Sequence, residues 1–183
     1  MKAIKNASLL WVIVLIFVAV LFRLINHPVN FTPLGAMMLF GGVQSKKFKL
    51  SILVPFIALF LSDLYLNNFM YHSDQWTWFY KGAPWVYFAF ALVFIIGRIF
   101  QPKLGLKLAF TAISGSIIFF VVTNLALWYG SNLYTKDTAG LVQCFIAALP
   151  FFQNSLFGDL IYSFAIFGVY EYISIKSRSA TVA

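Results

Sequence analysis

The chain has 183 residues, is 62% hydrophobic and only 10% charged, and has a mean hydropathy of +0.88. That composition excludes a water-soluble domain and describes a multi-pass membrane protein. The net charge of +8 is carried by small basic groups between apolar runs, which suits a membrane face beside anionic lipid and argues against nucleic acid as a partner.

Six apolar segments are predicted as helices, over 8–25, 31–43, 48–66, 84–100, 108–129 and 155–175. The first follows Lys2 and Lys5 as a signal peptide would. No small-x-small cleavage site closes it, however, and Arg23 lies at its end, so it reads as a retained span. The second is short, about 13 residues or roughly 20 Å of helix. It crosses only where its ends are buried in protein. Thr32 and Pro33 read as its N-cap and first helical residue, and Gly41–Gly42 as its end. The third carries Asp63. Trp76, Trp78, Tyr80 and Trp85 precede or open the fourth and read mainly as interfacial belt aromatics. The fifth carries Asn124 and Trp128. Residues 142–152 are apolar but too short to span, and Pro150 interrupts them. They are predicted to form a capping or re-entrant segment on the outer face, tolerated only where protein buries it. Phe151, Phe152 and Asn154 then line its mouth, and the sixth helix carries Asp159.

The positive-inside rule supports six spans. With both termini in the cytoplasm, ten of the thirteen Lys and Arg are cytoplasmic, and only Arg23, Lys81 and Lys136 fall outside. Omitting the short second span would move Lys46, Lys47 and Lys49 to the outer side. At about 1.5 Å per helical residue, Arg23 lies about 27 Å from Lys5, Asp63 about 21 Å from Lys49, Asn124 about 26 Å from Lys107 and Asp159 about 26 Å from Lys176. Four helices therefore place a polar group at nearly one height, in the outer part of the bilayer. Charges there are expensive and mark a functional site by default. The pattern predicts a cup open to the outside above an apolar plug, since a pore would carry polar groups along its whole length. The plainer alternative is an ion-pair network of Arg23, Asp63 and Asp159 that ties the outer helix ends together. Arg23 alone has a further option, snorkelling to the headgroups.

Catalytic signals are weak. His27 and His72 sit in separate loops without a partner at metal-ligand spacing, and no hydrolase, P-loop or dinucleotide pattern is present. No metal or other cofactor is expected. The single cysteine, Cys144, excludes an internal disulfide and reads as a small hydrophobe.

The strings Asn30-Phe31-Thr32-Pro33-Leu34-Gly35-Ala36, Leu39-Phe40-Gly41-Gly42, Val54-Pro55-Phe56, Leu61-Ser62-Asp63-Leu64, Phe119-Phe120-Val121-Val122-Thr123-Asn124 with Trp128, Ala148-Leu149-Pro150-Phe151-Phe152 and Gly158-Asp159 resemble a group of small bacterial membrane proteins. That group is similar in turn to the substrate-binding (S) components of energy-coupling-factor transporters. The resemblance covers roughly residues 20–170. It implies six helices in an S-component-like bundle, cytoplasmic termini and a vitamin or metal-ion site near the outer surface. It also implies a membrane coupling protein and two ATPase subunits as partners. Ala3 and Ala7 have the small-xxx-small spacing by which S components dock the coupling protein, but the rest of the first helix is bulky. Ala112 and Ser116 offer a second close-packing pair.

The expectation is therefore an all-α membrane protein that captures a small molecule from outside and is not an enzyme. The expected site residues are Arg23, Asn30, Thr32, Asp63, Asn124, Trp128, Phe151, Phe152, Asn154 and Asp159. Arg23 and the second-helix N-terminus would favour an anionic group. A vitamin-like aromatic ligand suits the mixture better than a bare ion. The competing expectations are a structural or assembly protein with a filled outer half, and an intramembrane enzyme with Asp63 and Asp159 as an acid–base pair.

Overall fold

The computed structural model describes residues 20–25, 27–46, 49–71 and 75–182, with backbone alone at 49–50 and 176–182. Among these residues the chain is all helical. Residues 20–24 form the described part of α1. α2 is Leu34–Gln44, α3 is Leu53–Tyr65, α4 is Ala83–Phe100, α5 is Leu106–Gly130 and α6 is Thr138–Val182. A 3-10 turn, Lys49–Ile52, leads into α3, and a π-helical turn, Leu66–Met70, prolongs it. Among the described residues, four stretches are long and apolar enough to cross a bilayer: Leu53–Met70, Ala83–Phe100, Leu106–Gly130 and Thr138–Ile175. Most of the expected first span, with Ala3 and Ala7, lies outside the described residues, as does His72.

The short α2 is the axis of the bundle. Leu34, Ala36, Met38 and Leu39 are almost wholly buried, because α4 and α6 pack along α2, with α3 and α5 beside it. Gly41 and Gly42 do not end this helix, as the sequence suggests. It runs on to Gln44, and Ser45 closes it by donating from Oγ to the Gly42 carbonyl at 2.6 Å. The glycines instead set the packing distance. A Cβ on Gly42 would run into the Phe94 carbonyl, and one on Gly97 of α4 would run into the Leu39 carbonyl. Close backbone approach through small residues is how helices pack where lipid removes the hydrophobic drive between them. At the other end, Pro33 is the N-cap and no side chain caps the helix, so Thr32 does not serve as its cap.

The second departure is α6. The expected outer segment 142–152 is the first part of one continuous 45-residue helix that passes through Pro150. Proline removes one helical hydrogen bond, but leaving the helix would strip the backbone of many more in an apolar setting. Cys144 is buried where this stretch meets α5, its Sγ 3.6 Å from the Asn124 carbonyl.

The core consists of Leu34, Met37, Met38, Leu39, Ala58, Leu59, Phe90, Val93, Leu108, Ala112 and Phe167. Large apolar side chains such as Phe110, Leu125, Phe157 and Ile161 cover the outside of the bundle. Exposed apolar surface on that scale fits lipid rather than water.

Candidate functional site

Arg23 comes from the end of α1 and meets α3. Its Nη1 donates to Asp63 Oδ1 at 2.6 Å, to Ser62 Oγ at 2.5 Å and to the Leu59 carbonyl at 3.4 Å. Ser62 is fully buried and returns its own proton to the Ala58 and Leu59 carbonyls. Tyr87 also neighbours Asp63, whose other carboxylate oxygen is Oδ2. Both that oxygen and the Tyr87 hydroxyl are buried, without a well-formed hydrogen bond among the described residues. Arg23 therefore does not simply snorkel; it is neutralised by Asp63.

Asp159 takes no part in that pair. Its Oδ2 accepts from Ser116 Oγ of α5 at 2.6 Å, and its Oδ1 lies directly over Gly35, where any Cβ would collide with it. Gly35 is the second residue of α2, so the carboxylate occupies the positive end of that helix. Among the described residues no Lys, Arg or His pairs with Asp159.

Arg23 and Asp159 line one cavity of about 130 Å³, together with Asn30, Thr32, Gly35, Tyr80 and Phe119. A second cavity of about 300 Å³ adjoins it, with Phe120, Thr123, Asn124, Phe151 and Phe152 in its wall. Asn30, Phe119 and Ser155 belong to both. Asn30 sits at the tip of a turn with φ +68°, a conformation that asparagine tolerates better than most residues. Phe120 and Phe152 pack at 4.7 Å between ring centroids. Burial, with the Asp63 carboxylate close by, pushes the Tyr80 hydroxyl up to about 12. It therefore stays a neutral hydrogen-bond group at any physiological pH.

Of the expected site residues, Arg23, Asn30, Thr32 and Asp159 line the first cavity, and Asn30, Asn124, Phe151 and Phe152 the second. Asp63 stands behind Arg23 rather than in the wall. Two others lie elsewhere. The Trp128 indole donates to the Thr135 carbonyl at 2.8 Å and stacks under Lys136, holding the α5–α6 loop. Asn154 donates to the Val29 carbonyl at 3.0 Å and ties the 27–33 loop to α6. Ser62, Gly35, Phe119 and Ser155 are absent from the expected site residues, and Tyr80, read mainly as a belt aromatic, lines the first cavity. The sequence reading took Ser116 only as a packing residue, although a small polar side chain at the depth of a buried acid is the natural donor to it. Among the described residues no three His, Cys, Asp or Glu side chains group as metal ligands would.

A family model covers residues 3–181. The chain belongs to DUF6580, a family of unknown function. No curated protein and no solved structure matches this DUF6580 chain. For this member of DUF6580, the cavities and their polar residues are thus the ground for a functional reading.

Proposed function

We propose that this DUF6580 protein is the substrate-binding membrane component of a small-molecule uptake transporter in the bacterial inner membrane. In this reading six helices cross the membrane, both termini are cytoplasmic, and the ligand is a vitamin or similar micronutrient. One observation carries it: two adjoining cavities bring together polar groups from α1, the loop before α2, α5 and α6. Along α2, α4 and α5 the residues beyond the cavities, Met38, Val93 and Leu108, are packed core. An apolar and aromatic chamber with a few convergent polar groups, over a packed apolar floor, suits capture rather than conduction. The chain carries no ATP-binding motif, so a membrane coupling protein and ATPase subunits are the partners that would drive release, as in the transporters its sequence resembles.

Binding suits the geometry better than catalysis. Asp63 is turned to Arg23, while Asp159 lines the cavity and is held by Ser116, so the two acids do not share a hydrogen-bond partner. The Arg23–Asp63 pair fits a structural tie, and the cavities beside it are what a purely structural protein would not need.

Native mass spectrometry of the detergent-purified protein tests the proposal. The expected result is a small-molecule adduct that is absent from Ser155→Leu, a substitution at the wall common to both cavities. Apo protein with no thermal shift across a vitamin and metal panel overturns it.

A further inference from the structure

The charges around the cavities select the sign of the ligand. The sequence offers Arg23 and the α2 N-terminus as attractors for an anion, but each already faces a carboxylate. Asp63 neutralises Arg23 at 2.6 Å, and Asp159 fills the α2 N-terminus, seated on Gly35. Among the described residues, one cation and two acids stand around the cavities, and the acid without a cationic partner, Asp159, is the one in the cavity wall. An anionic ligand would have to displace Asp63 from Arg23, or Asp159 from Ser116 and the α2 N-terminus, and leave that acid without its contacts at low dielectric, which is costly. A cationic ligand would give Asp159 the cationic partner it lacks among the described residues.

The rest of the wall points the same way. Tyr80 and Phe119 flank the first cavity and present aromatic surface, to which cations are drawn. The adjoining chamber is broad and lined by Phe120, Phe151 and Phe152. We infer that the ligand is a flat organic cation whose N–H groups bond to Asp159 and whose apolar body lies among these phenylalanines. This rests on reading the cavities as a ligand site, and it names the charge and shape of what they take.

Four small probes separate the possibilities: benzamidinium and benzylammonium as cations, benzamide as a neutral isostere and benzoate as an anion. Each is titrated by calorimetry into the full chain in neutral detergent. The expected result is heat from the cations, with benzamidinium weakened about tenfold or more in Asp159→Asn, as loss of a charge-assisted hydrogen bond implies. Ser155→Leu, which keeps the carboxylate but fills the shared wall, should abolish the same signal. That second variant keeps the test valid if Asp159→Asn does not fold. Preferential binding of benzoate or benzamide, lost in Ser155→Leu, overturns the cation inference and leaves the ligand site standing. Cation binding that survives both variants overturns the assignment to Asp159 and this chamber. Absence of binding by all four up to millimolar concentration counts against the cation and the ligand site together.

Discussion

Asp63 holds Arg23 through one guanidinium nitrogen, which is shared with Ser62. Removing the acid strands a half-buried cation, so Asp63→Ala should cost about 3 kcal/mol, read as a lower midpoint of thermal unfolding in detergent. Gly35→Ala acts on the other carboxylate. Its methyl would displace the Asp159 side chain from over α2, so any ligand that uses Asp159 should bind more weakly while the Arg23–Asp63 pair is kept. Native mass spectrometry of the variant reads that loss. The intramembrane charges were legible in the sequence, because charge is rare and expensive at that depth. Their pairing was not. Arg23, Asp63 and Asp159 sit at similar heights, and which two meet depends on how each helix is rotated about its axis. Spacing from basic loops gives height alone. Trp128 differs from expectation in the same way: it is on α5 with Asn124 but turns to the Thr135 carbonyl.

At the scale of elements, composition and hydropathy gave α4 and α5 to within two residues, because long apolar runs with Gly or Pro at their borders leave few choices. Local rules failed where packing decides. Gly41–Gly42 has the signature of a helix end, yet its use is to let α2 and α4 touch backbone to backbone. Gly42→Ala or Gly97→Ala should therefore destabilise the protein by about 1–3 kcal/mol through overpacking, and a thermal melt measures it. The start of α6 offers a pH prediction. Asp137 Oδ1 accepts from the Gly140 N–H at 2.8 Å and from the Thr135 hydroxyl at 2.8 Å. The backbone bond from Gly140, above all, holds its carboxyl below the ordinary value of 3.8. A lowered value means that the capping contribution is fully present above the ordinary value and is lost only as pH falls below it, through the lowered one. Hydrogen exchange at Gly140 should thus show protection above that of Asp137→Ala, by a margin that stays constant from neutral pH down to about 4, with the two converging in stronger acid.

The whole molecule combines cavities that carry a few polar groups with an apolar exterior, and its proposed topology is open to direct test. Single cysteines in a Cys144→Ser background at Lys81 or Lys136 should react with an impermeant thiol reagent from outside the cell. Those at Lys46 or Lys103 should react only after the membrane is opened; the reverse pattern overturns the orientation. The buried α2 also bears on biogenesis. It is 11 residues long, about 16 Å of helix, and it touches other helices along nearly its whole length. A segment this short does not partition stably into lipid by itself. The insertion machinery would meet long apolar stretches it can release sideways into the bilayer, and α2 would be drawn in only once α4 and α6 have been made to receive it. The axis of the bundle is therefore among the last parts to settle. A chain truncated after α5 should leave residues 34–44 open to protease, although they were synthesised long before the truncation point.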